Sequence, residues 1–145
     1  MGDLLVPEDF TVATVDGVRV VFTRAALGEE VIQFEWDGVR DAATDRRDLQ
    51  WEREFDAWGN AVKAHGHDVA GPPPQMPGNL LARVQMSVSD DSGKQLQKLD
   101  GQVAGSGSEW HAEWRHALPA NGAKRLLLRF AVDGASSAAC ELQIG

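Results

Sequence analysis

The sequence predicts an all-β protein made of two packed antiparallel sheets, with about eight or nine short strands. Runs of β-branched and aromatic residues of strand length recur along the chain, and Asp-Gly pairs stand between several of them. At 145 residues, 43% hydrophobic and 25% charged, the composition supports one buried core, so residues 1–145 read as a single domain.

The first strands are the clearest. Phe10 to Val15 and Val18 to Thr23 flank Asp16-Gly17, a pair suited to the type I′ turn, which needs positive φ at both central residues. Val31 to Trp36 sets Ile32, Phe34 and Trp36 on one side of the pleat and stops at Asp37-Gly38. Arg40 to Asp48 is a polar connection with room for a helical turn.

Residues 49–62 support two readings. Trp51, Phe55, Trp58 and Val62 recur at helical spacing, but Asp56 to Asn60 has turn chemistry, and a glycine inside a helix costs about 1 kcal/mol. The hairpin is the favoured reading, with Trp58 at its tip. A similar turn follows at Asp90-Asp91-Ser92-Gly93-Lys94. Between them, residues 65–79 form a connecting loop containing Pro72, Pro73, Pro74 and Pro77.

The second half continues the strand pattern. Strands are expected at Leu80 to Val88, at Lys94 to Leu99 as a lysine-guarded edge, and at Trp110 to Leu118. A flexible glycine-rich bridge covers residues 101–108. Arg125 to Val132 and Ala138 to Ile144 close the set, joined at Asp133-Gly134. Leu81, Val84, Met86, Val88, Trp114, Leu126, Leu128, Phe130, Val132, Leu142 and Ile144 are the expected core. The strand count and turn spacing fit an immunoglobulin-like sandwich held by packing alone, since Cys140 is the only cysteine.

Val88 to Gly93, Gly105 to Trp110, Trp114 and the Leu-rich strand from Leu126 together resemble small uncharacterised immunoglobulin-like β-sandwich domains of actinobacterial type. The resemblance runs from Val88 onward. It implies a fold and carries no reaction.

Charge narrows the partners. Fourteen Lys+Arg against 22 Asp+Glu give a net charge of −8, and no basic cluster is present to engage phosphate backbones or anionic lipid. Nucleic acid and membrane are therefore not expected as partners. The longest strongly apolar runs are short, such as Leu126 to Leu128, far below a spanning length. Acidic residues occupy the N-terminal stretch where a signal peptide is basic, and a lone cysteine gives no disulfide, so the expected address is cytoplasmic.

Candidate chemistry is sparse. In the strand Trp110 to His116, alternation places His111, Glu113 and Arg115 on one face, where His111 and Glu113 would make a metal or acid–base pair or simply a solvated strand face. His65-Gly66-His67-Asp68 offers two imidazoles and a carboxylate for a metal, and otherwise reads as an exposed loop. Asp90-Asp91-Ser92-Gly93 lacks calcium-loop spacing and reads as a turn. No nucleophile elbow or phosphate loop is present, and Cys140 reads as a small buried hydrophobe.

An enzyme is not expected, nor any cofactor. The leading expectation is a non-enzymatic protein-interaction or structural module, binding a protein partner or itself through a sheet edge or the loops around Trp58 and Pro72 to Pro77. The alternatives are a carbohydrate-binding sandwich that stacks sugars on Trp58 or Trp110, and a weak metal site at His65, His67 and Asp68.

Overall fold

A computed structural model describes residues 2–104 and 109–144. Among the described residues, nine strands form two antiparallel sheets. They are β1 (Gly2–Asp3), β2 (Thr11–Val15), β3 (Val18–Leu27), β4 (Val31–Gly38), β5 (Val84–Asp90), β6 (Lys98–Ala104), β7 (His111–Ala117), β8 (Arg125–Val132) and β9 (Ala135–Gln143). The larger sheet runs β1-β3-β4-β7-β6, with β2 also paired to β3, and the smaller runs β5-β8-β9.

The Asp-Gly turns behave as their chemistry demands. Asp16 and Gly17 have φ of 49° and 85°, Asp133 and Gly134 have 50° and 86°, and each pair joins neighbouring strands. The turn at residues 90–94 is organised by Asp90. Its Oδ1 accepts from the Ser92 hydroxyl, Ser92 N–H and Lys94 N–H, and its Oδ2 accepts from Ala120 N–H at 2.8 Å. The hydrogen bond from Ser92, with those from the backbone, holds the Asp90 pKa down at about 2. Donors from the protein thus occupy both oxygens, which accounts for this segment without calcium.

The sheets meet over aromatic contacts. Phe130 of β8 packs edge-on against Phe22 of β3 at 5.8 Å and Trp36 of β4 at 5.9 Å between ring centroids. Leu81, Val84, Val88, Leu126, Leu128, Phe130 and Leu142 are buried as expected, and Met86, Trp114, Val132 and Ile144 are partly buried against the same cluster. One side of the sandwich is closed by the Ser137 hydroxyl, which donates to Val12 C=O at 2.7 Å. On the other side, Leu96 N–H donates to Val88 C=O, so residues 94–97 cross from the edge of β5 toward β6.

Residues 49–62 are not a hairpin. They lie inside a 24-residue helix, α1 (Ala42–His65). Its start is fixed by a capping box: the Asp41 side chain accepts from Ala43 and Thr44 N–H, and the Thr44 hydroxyl accepts from Asp41 N–H at 2.9 Å. The apolar stripe Trp51, Phe55, Trp58 then stacks at 5.2 and 5.5 Å between successive rings. Gly59 weakens the helix without stopping it, because nothing there requires a turn: a Cβ at this position would meet no atom within 4 Å.

Further boundaries shift. The connecting loop contains a short helix, α2 (His67–Ala70), and the first half of the expected strand 80–88 belongs to a 3-10 segment, Pro77–Arg83. The edge strand β6 lies later than expected and takes in residues 101–104 of the expected glycine bridge; residues 105–108 lie outside the described residues. β6 does stand at the edge of its sheet.

Candidate metal centre

Strand alternation turns Gln33, Glu35 and Asp37 of β4 to the outer face of the larger sheet, opposite the face that buries Ile32, Phe34 and Trp36. On β7 the same alternation sends His111, Glu113 and Arg115 outward, while Ala112, Trp114 and His116 face the core. The register then decides what meets. Asp37 lies directly across from His111, and Glu35 directly across from Glu113.

The result is a cross-strand quartet. The His111 imidazole bonds through Nδ1 to Asp37 Oδ1 at 2.5 Å. Its Nε2 lies 3.3 Å from Glu35 Oε1 and 3.8 Å from Glu113 Oε2. The second oxygens of Glu35 and Glu113 are committed elsewhere. Glu35 Oε2 accepts from Arg24 at 3.0 Å and from Gln33 at 3.1 Å, and Glu113 Oε1 accepts from Gln102 at 2.6 Å. Glu113 Oε2 has one long bond, from Gln33 at 3.3 Å.

Three ligand atoms therefore converge: His111 Nε2, Glu35 Oε1 and Glu113 Oε2. Among the described residues, Glu35, His111 and Glu113 are the only group of three or more His, Cys, Asp or Glu with candidate ligand atoms all within 4.8 Å of one another. Tetrahedral zinc, bound at about 2.0 Å, separates its ligand atoms by about 3.3 Å; the two imidazole–carboxylate separations here are 3.3 and 3.8 Å. Asp37 holds the second imidazole nitrogen as carboxylates do behind metal-bound histidines.

Burial lowers the His111 pKa, but the Asp37 hydrogen bond and the charges of Asp37, Glu35 and Glu113 outweigh it, leaving a net upward shift. The same charges favour a proton on the imidazole, which a metal ion must displace from Nε2. The quartet thus attracts positive charge. Glu35 is nearly buried, whereas the His111 side chain keeps 37% of its surface open to solvent. An ion would have a way in.

Compared with family models, curated proteins and solved structures, the chain matches none. The chemistry must be read from the side chains themselves.

Other expected site residues are placed differently. Trp110 is buried, and its indole N–H donates to Asp48 Oδ1 of α1 at 3.0 Å, so it is a tether between helix and sheet and offers no face to a sugar. Trp58 lies on α1, half-buried, and its N–H donates to Gly71 C=O at 2.9 Å. The proline-rich loop covers this side of the helix. His65, His67 and Asp68 do not form a three-ligand group among the described residues; Gly66, at φ 81°, turns the chain between the two helices, and His67 faces the Trp58 ring at 6.1 Å.

Sequence reasoning reached His111 and Glu113 but not Glu35 and Asp37. Both acids were visible as the polar alternates of an apolar strand. Only the pairing of β4 with β7 makes them partners, and nothing local announces that pairing.

Proposed function

We propose that the protein is a non-enzymatic binding module that holds a divalent transition-metal ion of the zinc class on the outer face of its larger sheet. His111, Glu35 and Glu113 are the ligands and Asp37 orients the imidazole. The reading rests on the convergence of three ligand atoms whose neighbouring oxygens are already hydrogen-bonded. Titration calorimetry with zinc should give one site per chain, lost in His111→Ala and retained in a His65→Ala/His67→Ala double variant. No binding by the unmodified protein would overturn it, as would loss of binding in the double variant alone.

A second reading, docking of a protein partner or a second copy, is favoured by one observation. The α1 arm and its covering loop expose Val69, Leu49, Phe55 and Met76 at 73%, 48%, 41% and 39% of their surfaces. A concentration-dependent mass in sedimentation that disappears in Phe55→Glu would support self-association. A monomer at every concentration would remove it. The sandwich is of immunoglobulin-like kind in this reading, supported by its two packed antiparallel sheets.

A further inference from the structure

Four buried side-chain polar atoms among the described residues have no hydrogen-bond partner: Trp36 Nε1, Trp114 Nε1, His116 Nδ1 and Asp48 Oδ2. Asp48 is explained by Arg40, whose Nη1 lies 3.3 Å from that oxygen. The other three belong to residues that line one cavity. It measures about 230 Å³ and lies between the sheets, where β5 faces β6 and β7.

An unmet donor buried in protein costs free energy, and natural structures leave only a few, each of which calls for an explanation. Three such residues on the wall of one cavity point to a guest. Trp36 and His116 are 1% and 2% exposed, so their side chains cannot turn to bulk water for relief. Indole nitrogen only donates, and a neutral imidazole can present its Nδ1 as N–H. Lys98 lines the same cavity, with Nζ 3.8 Å from the Trp114 ring centroid. The remaining wall includes the apolar side chains of Val84 and Met86.

We propose that this cavity binds a small organic monocarboxylate, its carboxylate accepting from the Trp36 and Trp114 indoles and pairing with Lys98, its apolar body against Val84 and Met86. Donors and one positive charge select an acceptor-rich group with a single negative charge. A water can accept from an indole and give a hydrogen to His116 Nδ1 in its other tautomer, but only an anion also pairs with Lys98, and a carboxylate carries about four acceptor sites. The volume falls below the roughly 300–1,000 Å³ of pockets for drug-sized ligands, so the guest is small. This site is separate from the proposed metal centre: both use β7, but His111 and Glu113 face outward while Trp114 and His116 face inward.

The test is to follow the indole N–H resonances of the five tryptophans by ¹H–¹⁵N NMR while adding benzoate or 3-methylbutyrate, with benzamide, 3-methylbutanamide and inorganic phosphate as comparisons. The carboxylates should shift Trp36 and Trp114 saturably. The neutral amides and Lys98→Gln should each weaken binding by about tenfold or more, the worth of a charged hydrogen bond. Lys98→Gln removes a side chain from the rim, so an unchanged melting temperature confirms that the fold is intact. The proposal falls if neither carboxylate moves these two resonances, which would mean that the cavity holds water only. It falls equally if amides bind as tightly as acids, if phosphate competes on equal terms, or if Lys98→Gln changes nothing.

Discussion

His116 should make the protein sensitive to mild acid. Its side chain is buried on the inner face of β7, edge-on to Phe34 with 5.3 Å between ring centroids. Burial, reinforced by the nearby Lys98 charge, lowers its pKa from 6.5 to about 4. In the unfolded chain the imidazole takes up a proton near pH 6.5, while in the folded protein it stays neutral until about pH 4. Between those values the unfolded state binds more protons. Stability is therefore complete above the unfolded pKa and is lost as pH falls toward the folded one. From pH 7 to pH 4 the loss should be about 3 kcal/mol. For a domain of this size that lowers the melting temperature by roughly 10 °C.

The assay is urea unfolding followed by tryptophan fluorescence, at pH steps between 7 and 4, in buffers free of carboxylates so that no acid enters the inter-sheet cavity. His116→Leu should remove most of the slope in this interval, whatever it does to stability at pH 7. Asp90 does not confuse the reading, because its depressed pKa of about 2 moves its contribution to more acid conditions, and His111, whose raised pKa adds stability as pH falls and so opposes this slope, is the same in both proteins. A slope equally steep in His116→Leu would refute the reasoning and assign the acid response to other groups.

Further outcomes follow from particular contacts. Gly101→Ala should destabilise the protein by about 1–3 kcal/mol in urea unfolding, because its methyl would overlap ring carbons of Trp114 and the Glu113 carbonyl. Trp110→Phe should cost about 1–3 kcal/mol by the same assay, since it leaves Asp48 Oδ1 buried without its indole donor. Asp16→Ala breaks ion pairs with Arg47 and Arg83, but all three side chains are at least a third exposed and screened by solvent, so the melting temperature should hardly change.

The strands were legible wherever a local rule governed them. Asp16-Gly17 and Asp133-Gly134 announce their turns because two adjacent positive φ values suit few other residue pairs. The alternation of Trp110 to His116 was legible for the same reason: the pleat repeats every two residues whatever the partner strand is. Residues 49–62 mislead because two local signals compete there, the helical spacing of Trp51, Phe55, Trp58 and Val62 and the turn chemistry of Asp56 to Asn60, while the caps that start the helix, Asp41 and Thr44, lie upstream of that window. The site was half legible. His111 and Glu113 share a strand, whereas Glu35 and Asp37 arrive through a register between β4 and β7 set by the apolar inner face. The cavity was not legible at all, since a missing hydrogen-bond partner is a property of packed surroundings.

Only Thr44 and Asp48, near the start of α1, are buried. Beyond them the helix rests on its own return path, through Trp51 N–H to Pro74 C=O and Trp58 N–H to Gly71 C=O. The molecule therefore has two thresholds of opening. Backbone amides beyond the second turn of the helix should exchange with deuterium through local release of the arm, while those of β4, β7 and β8 wait for global unfolding. Strain or sequence drift in the arm would then stop at the Asp48–Trp110 contact and leave the sheets unaffected. An insertion near Val69 should be tolerated for the same reason.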